Sequence, residues 1–286
     1  MNKKKIALHS SVKHYLQTRR SGQGKGNRFF FINKRQKFVI AVIVLSLSLF
    51  FTEFRFTQSA LFISFLLAIF TDLFLLWAIF PDIKEQKAYA IFILPFFYSL
   101  AFGLFYFLAP SLLISQIILT VIYAFGLYSL FLSQNILIVS AARTIALLSG
   151  ARIVSFVITL ISYFFLTNIM YSLHITIFPV IVAMFLYTYL FIFHSLWTYT
   201  LQRVTQPLSL WISALTVCLI ETGTLLWFWP SHPTVIALFL TGFFYTIVGI
   251  SHIWFEKRLF KGVLWEYVWV GCIVFFVLIL FTTWGK

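Results

Sequence analysis

Long apolar blocks and short polar breaks alternate along this chain from residue 38 to the C-terminus. Each block is close to the about 20 residues that an α-helix needs to cross a hydrocarbon core of about 30 Å. We therefore predict an all-α fold, a polytopic transmembrane helix bundle of nine spans. The predicted spans are Phe38–Thr52, Ser59–Phe80, Ala88–Leu108, Leu112–Ser133, Ala151–Leu173, Ile175–Thr200, Leu208–Trp229, Thr234–Phe255 and Val263–Trp284.

The break at residues 134–150 differs from the others because it is half apolar (ILIVSAARTIALLSG). Ala142, Ala146 and Gly150 recur every four residues, which forms a small-residue stripe on a helix. We predict an interfacial or re-entrant helix that leads into the fifth span. The equally favoured alternative is an extended end of the fourth or fifth span.

Composition excludes an ordinary soluble domain. Hydrophobic residues make up 62% of the chain and charged residues 10%, against roughly 25% charged in soluble domains. Residues 1–37 carry no acidic residue, and they hold eleven of the 21 basic ones. The sequence therefore divides into a basic, partly disordered cytoplasmic tail (residues 1–37) and a transmembrane domain (residues 38–286).

The basic residues outside the tail predict the orientation. If the tail is cytoplasmic, the alternating spans place eight basic residues at cytoplasmic breaks: Lys84, Lys87, Arg143, Arg152, Arg203, Lys257, Arg258 and Lys261. The opposite side receives only Arg55 and Lys286. This is the positive-inside bias, and it predicts a cytoplasmic N-terminus with the C-terminus outside.

One stretch resembles a known group of proteins. Ala141–Leu166 (AARTIALLSGARIVSFVITLISYFFL), within an all-membrane chain that has a basic N-terminus, resembles a family of uncharacterised multi-pass proteins from small-genome bacteria. The resemblance implies a bacterial cytoplasmic (inner) membrane. It implies no activity and no functional residue.

Two acids lie inside predicted spans. Asp72 lies about 12 Å from the cytoplasmic end of the second span, and Glu221 about 12 Å from the outer end of the seventh, at 1.5 Å per residue. Such groups cost roughly 2.5–3.5 kcal/mol on insertion scales and are functional candidates by default. We predict two stations of one transport pathway. The alternative is that each is a neutral acid, hydrogen-bonded to nearby threonines such as Thr71 and Thr222.

A second polar group gathers towards the predicted cytoplasmic face. It consists of Arg152, His194, His252, Glu256 and Glu266. His252 and Glu256 are i,i+4 neighbours on one helix face, where a carboxylate can orient an imidazole for proton relay or general-base chemistry. The alternative is a rim of charged residues that reach towards the membrane surface.

The tail predicts membrane contact. Lys34, Arg35 and Lys37 adjoin the first span, where basic side chains attract anionic lipid headgroups. Binding to RNA or another polyanion is the less favoured alternative, since no RNA-binding fold fits into 37 residues. A protein partner or a homo-oligomer is also compatible with the sequence.

No motif indicates a metal, a cofactor or a known active site. Cys218 and Cys272 both lie within spans, and their spacing matches neither a zinc site nor a disulfide framework. Three functions remain. We favour a transporter, channel or flippase component that uses the intramembrane acids; the alternatives are a non-catalytic scaffold or assembly partner, and an intramembrane lipid-modifying enzyme with His252 or His194 as its base.

Overall fold

A computed structural model of the chain describes residues 33–53, 60–86, 89–108, 112–142, 146–200, 206–257 and 260–282. The predicted tail up to residue 32 lies outside these ranges. Over the described residues the protein is helical, with one isolated β-bridge between Ser231 and Thr282. The predicted all-α class is confirmed for this part of the chain.

Within the described residues nine α-helices form the bundle, and most of their bounds lie within a few residues of the predicted spans. They are α1 (Lys34–Glu53), α2 (Ala60–Gln86), α3 (Ile93–Leu108, preceded by a 3₁₀ turn at Tyr89–Phe92), α4 (Leu113–Ala142), α5 (Leu148–Ser172), α6 (Ile177–Thr200), α7 (Gln206–Trp227), α8 (Pro233–Phe255) and α9 (Lys261–Leu280).

The segment at residues 134–150 does not form the separate interfacial or re-entrant helix that we predicted first. The helix α4 continues without interruption to Ala142, and α5 begins at Leu148. Residues 134–142 are therefore the last turns of α4, as the alternative of an extended fourth span describes. Their apolar composition allows the helix to continue.

Among the described residues, eight helices, α2 to α9, are long and apolar enough to cross a membrane, with α3 counted together with its preceding 3₁₀ turn as Tyr89–Leu108. The helix α1 is not among them. Lys34, Arg35 and Lys37 occupy its first turn and Glu53 its last, which leaves an apolar stretch of about 22 Å at 1.5 Å per residue. Its outward face is nevertheless apolar, since Ile43, Val44 and Leu47 are exposed. A ninth span therefore stays a prediction.

The central helices of the bundle are α3 and α5, which bury the largest shares of their surface. The helix α5 packs against α3, α4, α6 and α8. The helix α9 packs against α8 and has the smallest buried share of the eight candidate spans. Exposed Leu, Ile and Phe side chains cover the outside of the bundle, as lipid-facing helices require.

Contacts between helix ends show that α1 and α2 run in opposite directions and that α7 and α9 end on the same side of the bundle. The ammonium group of Lys37, at the start of α1, lies 4.8 Å from the centroid of the Trp77 ring near the end of α2. The Trp229 indole donates a hydrogen bond of 2.8 Å to Thr282, which joins the ends of α7 and α9. We call the two ends of the bundle the Arg152 end and the His232 end, after a residue at each.

Candidate functional site

The buried face of α5 is polar along most of its length. Ser155, Thr159 and Ser162 recur at intervals of four and three residues, and all three are buried. Tyr163, Thr167 and Tyr171 continue the series every four residues. From Arg152 to Tyr171 this stripe covers about 28 Å at 1.5 Å per residue. We call it, with the α6 and α8 side chains that contact it, the polar seam.

Arg152 joins three helices at its own end of the seam. Its Nε and Nη2 groups donate hydrogen bonds of 3.0 and 3.2 Å to the carbonyl oxygens of Thr198 and Tyr199 in the last turn of α6. Nη1 lies 3.5 Å from Glu256 Oε1, just after α8, and the guanidinium carbon lies 4.7 Å from the Tyr199 ring centroid. A cation is favourable where the last carbonyls of a helix lack partners, so Arg152 links the start of α5 to the ends of α6 and α8.

His252 lies beneath this contact, and its ring is enclosed. Its Nε2 lies 2.9 Å from Ser195 Oγ, and its ring stacks on Tyr199 with centroids 4.0 Å apart. The Phe156 ring covers it edge-on at 4.9 Å. Glu256 pairs with Arg152, whereas our sequence hypothesis paired it with His252. His252 is therefore oriented by a hydroxyl group and two aromatic rings.

His194 connects α6 to three other segments. Its Nδ1 lies 2.9 Å from the Ala90 carbonyl oxygen and its Nε2 lies 3.2 Å from Ser155 Oγ. A carbonyl only accepts, so Nδ1 bears a proton, and in the neutral ring Nε2 accepts from Ser155. The Gln134 amide donates to the same Ser155 oxygen at 3.4 Å. This hydrogen-bonded chain links α4, α5 and α6 to the 3₁₀ turn before α3.

Tyrosines and a threonine form the middle of the seam. The hydroxyl groups of Thr167 and Tyr187 lie 3.1 Å apart. The Tyr163 ring packs on Phe244 of α8 with centroids 4.6 Å apart. Nearer the His232 end, the Tyr171 hydroxyl donates a hydrogen bond of 2.7 Å to the Gly223 carbonyl of α7. Tyrosine side chains of α5 and α6 therefore occupy the middle of the seam.

A cavity of about 850 Å³ opens at the His232 end between α3, α4, α5 and the start of α8. This volume lies in the range of about 300–1,000 Å³ that is typical of ligand sites. Most of its lining residues are apolar. The polar side chains are Ser115, Asn168, Ser172, His232 and Thr234. Asn168 is buried and accepts a hydrogen bond of 3.2 Å from Ser172. The cavity therefore suits an amphiphilic ligand.

Asp72 lies outside the seam, on α2, which packs against α1, α3 and α4. Its side chain is half-buried, and its buried Oδ1 has no hydrogen-bond partner. The neighbouring Thr71 hydroxyl contacts the Leu67 carbonyl and Ser99 instead, at 2.9 and 2.7 Å. A buried, unpaired carboxylate is costly, so Asp72 is the strongest candidate for a functional acid among the described spans.

Glu221 lies apart from Asp72, on α7, which packs against α6 and α8. Its side chain is exposed on the outside of the bundle. The adjacent threonines do not bind it, because Thr222 and Thr224 donate to the Cys218 and Ile220 carbonyls at 2.8 Å. The structure therefore does not bring the two acids together.

The remaining predicted residues lie at the Arg152 end. Glu266 is exposed on α9, separate from the contact between Arg152, His252 and Glu256. Lys34 and Arg35 are exposed, and Lys37 is half-buried against Trp77. The helix α1 begins at Lys34, so these three residues belong to its first turn and not to a tail that ends at residue 37.

Sequence reasoning missed the polar seam. It selected ionisable residues, whereas most of the seam consists of Ser, Thr and Tyr. The signal was present in the spacing of Ser155, Thr159 and Ser162, which places three hydroxyl groups on one helix face. The cavity left no such signal, because its lining comes from four separate helices.

Comparison with known proteins assigns a family. A family described as "Protein of unknown function (DUF5656)" matches residues 38–281. The chain belongs to this family, and the expected membership of an uncharacterised family is confirmed. None of the curated proteins and none of the solved structures compared with the chain matches it. Within the described residues, no group of three or more His, Cys, Asp or Glu side chains is placed to hold a metal ion.

Proposed function

For this member of DUF5656, we propose a carrier function: the protein moves an amphiphilic, lipid-like substrate across the cytoplasmic membrane of a bacterium. One observation carries the proposal. The seam on α5 runs from a closed polar contact at Arg152 to an open amphiphilic cavity that Asn168 and Ser172 line. Polar groups inside a transmembrane bundle are costly and mark substrate or ion pathways.

The two ends of the seam differ in the way that alternating access requires. The cavity gives a substrate access to Asn168 from the His232 end. At the opposite end, Arg152 ties the start of α5 to the ends of α6 and α8. In the orientation predicted from the basic residues, the protein is open outwards and closed towards the cytoplasm. Transport then requires Arg152 to release its partners.

The cavity supports a substrate with an apolar chain and a small polar group. Leu113, Ile118 and Leu119 form part of its apolar wall and suit an acyl or isoprenoid chain. Asn168, Ser172 and His232 add hydrogen-bonding groups to the lining. The hydroxyl groups of the seam continue from Asn168 into the bundle. There they can form the hydrogen bonds that a polar head group loses when it leaves water.

A non-catalytic scaffold is the second candidate, and one observation favours it. Thr159 and Ser162 donate hydrogen bonds of 2.9 and 2.8 Å to the Ser155 and Ile158 carbonyls of their own helix. These hydroxyl groups already have partners, and small polar residues also let transmembrane helices pack closely. An enzyme is less favoured, because neither His252 nor His194 lines the cavity.

The test is lipid movement in proteoliposomes. Vesicles would contain the purified protein and a fluorescent phospholipid that dithionite bleaches in the outer leaflet only. We expect the wild-type protein to expose the inner-leaflet probe within minutes. Thr167→Val, which removes the hydroxyl opposite Tyr187, should slow this exchange several-fold.

Thr216→Val is the matched control. Thr216 is equally buried and donates to the Ile212 carbonyl at 2.7 Å, on α7 and away from the seam. We expect it to leave exchange unchanged. Exchange that is absent from the wild-type protein, or equally slow in both variants, would argue against a carrier of this class and favour the scaffold.

A further inference from the structure

Four hydroxyl groups meet between α5 and α6 in the middle of the polar seam. Tyr163 and Thr167 lie one turn apart on α5, and Tyr187 and Thr188 follow each other on α6. All four side chains are buried. The hydroxyl groups of Thr167 and Tyr187 lie 3.1 Å apart, and the Tyr163 hydroxyl has those of Thr188 and Thr167 as neighbours. We call these four residues the central hydroxyl cluster.

Two hydroxyl groups of the cluster are unsatisfied. Tyr163 and Thr188 are both 0% exposed. Within the part of the chain that the structure describes, neither oxygen has a hydrogen-bond partner. A buried hydroxyl without a partner lowers the stability of a protein, so such a group in a folded structure needs a reason.

The threonines of the cluster differ from others in the described helices. Thr198 and Thr200 donate to the carbonyl oxygen three residues earlier. Eight more donate to the carbonyl four residues earlier: Thr71, Thr120, Thr159, Thr216, Thr222, Thr224, Thr241 and Thr246. A helical threonine has two favoured rotamers, and the bond to its own backbone favours one of them. Thr188 makes no such bond, and Thr167 contacts Tyr187 instead. Both therefore present their hydroxyl groups to the neighbouring helix.

The cluster lies near the middle of the bundle. Tyr163 precedes the end of α5 by nine residues, and Thr188 follows the start of α6 by eleven. These separations are about 14 and 17 Å of helix at 1.5 Å per residue, in a hydrocarbon core about 30 Å thick. Many carriers hold their substrate near the bilayer midplane. Thr167 directly precedes Asn168, which lines the cavity, so the cluster adjoins the cavity along α5.

The helices around the cluster carry almost no charge. Between them α5, α6 and α8 contain one charged residue, Arg152, which lies about 17 Å from Tyr163 along α5 at 1.5 Å per residue. The Tyr163 ring packs on Phe244, Tyr187 and Phe191, with centroids 4.6, 5.5 and 6.2 Å apart. A charged head group would lose its hydration among these neutral groups without gaining an opposite charge. The surroundings of the cluster therefore favour an uncharged ligand.

We propose that the central hydroxyl cluster binds the uncharged, hydroxyl-bearing head group of a lipid as it crosses the membrane. The inference rests on the proposed carrier function and adds the class of substrate. Tyr163 and Thr188 supply the unpaired hydroxyl groups, each of which both donates to and accepts from a hydroxyl of the head group. Thr167 and Tyr187 join α5 to α6 beside them. A neutral head group gains hydrogen bonds at this site, whereas a phosphate bears the cost of burying its charge.

Lipid exchange with two probes tests this specificity. Proteoliposomes would contain glucosylceramide or phosphatidylglycerol with the same fluorescent acyl chain, and dithionite would bleach the outer leaflet. Both head groups carry hydroxyl groups, and only the second is charged. We expect the wild-type protein to expose glucosylceramide faster than phosphatidylglycerol.

Two variants each remove one unpaired hydroxyl group. Thr188→Val and Tyr163→Phe should slow the exchange of glucosylceramide by about fivefold, the effect of one lost hydrogen bond, and should change that of phosphatidylglycerol less. Thr216→Val is the matched control, because Thr216 is equally buried but donates to its own helix. It should leave both rates unchanged.

The melting temperature separates binding from a structural role. Thr188→Val and Tyr163→Phe should keep or raise it, because the hydroxyl groups that they remove have no partner among the described residues. A lower melting temperature with an unchanged ratio of the two exchange rates would overturn the proposal, since the hydroxyl groups would then serve the fold only.

The outcomes also distinguish this proposal from the carrier function. A wild-type protein that moves both lipids at equal rates would overturn the head-group specificity and leave the carrier function standing. A wild-type protein that moves neither lipid would overturn the carrier function. Retention of glucosylceramide in native mass spectrometry then decides about the site. Weaker retention by Thr188→Val would support the site, and equal retention by both proteins would overturn it.

Discussion

Arg152 Nη1 and Glu256 Oε1 lie 3.5 Å apart and join the start of α5 to the end of α8. Both side chains are partly exposed, with relative exposures of 17% and 35%. The ion pair alone is therefore worth little, about 1 kcal/mol or less. The two hydrogen bonds from Arg152 to the end of α6 are separate interactions of the same side chain.

This difference predicts unequal effects of the two partners. Arg152→Ala should lower the free energy of unfolding by about 2–4 kcal/mol, because two carbonyl groups lose a charged donor. Glu256→Gln should cost about 1 kcal/mol or less. Thermal unfolding in detergent measures both. Equal losses would show that the ion pair, and not the contact with α6, stabilises this end.

The hydrogen bonds of His194 predict a second effect on stability. His194→Phe keeps an aromatic ring but leaves the Ala90 carbonyl and the Ser155 hydroxyl without this partner. Each unsatisfied group should lower the free energy of unfolding by about 1–3 kcal/mol. His194→Gln retains a donor and an acceptor and should cost less. Melting temperatures of both variants check this. A phenylalanine variant as stable as wild type would contradict the hydrogen-bonding role.

The space around two glycines predicts opposite effects of the same substitution. A Cβ at Gly126 would overlap the hydroxyl of the buried Tyr98, so Gly126→Ala should destabilise the protein by about 1–3 kcal/mol. A Cβ at Gly150 meets nothing within 4 Å. Gly150→Ala should therefore be neutral or stabilise α5 by up to about 1 kcal/mol. Similar melting temperatures for both variants would contradict the packing of Tyr98 on α4.

The acids were predicted to be stations of one pathway, and proton movement tests this. Proteoliposomes that contain a pH-sensitive dye would be placed under an imposed potential. We expect Asp72→Asn to reduce proton uptake while the melting temperature is kept or raised, since a neutral amide is cheaper to bury than a carboxylate. Glu221→Gln should leave uptake unchanged, because Glu221 faces away from the bundle. An equal loss of proton uptake in both variants would support the predicted pathway with two stations.

Lys34, Arg35 and Lys37 predict binding of anionic lipid. Replacing all three by Gln should weaken retention of anionic lipid by about 1 kcal/mol per residue, and the effect should fade at high salt. Native mass spectrometry with mixed anionic and zwitterionic lipids measures the retention. Lys261→Gln, at the same end of the bundle on α9, is the control and should change it less.

The sequence by itself determined the helices. Spans such as Ile175–Thr200 and Thr234–Phe255 agree with α6 and α8 within a few residues, because a helix in hydrocarbon must satisfy its backbone internally and needs a fixed length of apolar residues. The sequence also placed Arg152, His252 and Glu256 at one end of the bundle. These conclusions depend only on local composition and on the alternation of spans.

Only the tertiary structure decided which side of each helix faces another. All-apolar helices have no hydrophobic face to distinguish core from lipid, so the partial burial of Asp72 and the exposure of Glu221 could not be predicted from the sequence. Contacts between distant residues likewise decide three further features. They pair Glu256 with Arg152 and not with His252, and they form the cavity at Asn168 and the seam along α5. Packing of side chains across helices, and not the length of the spans, sets these relationships.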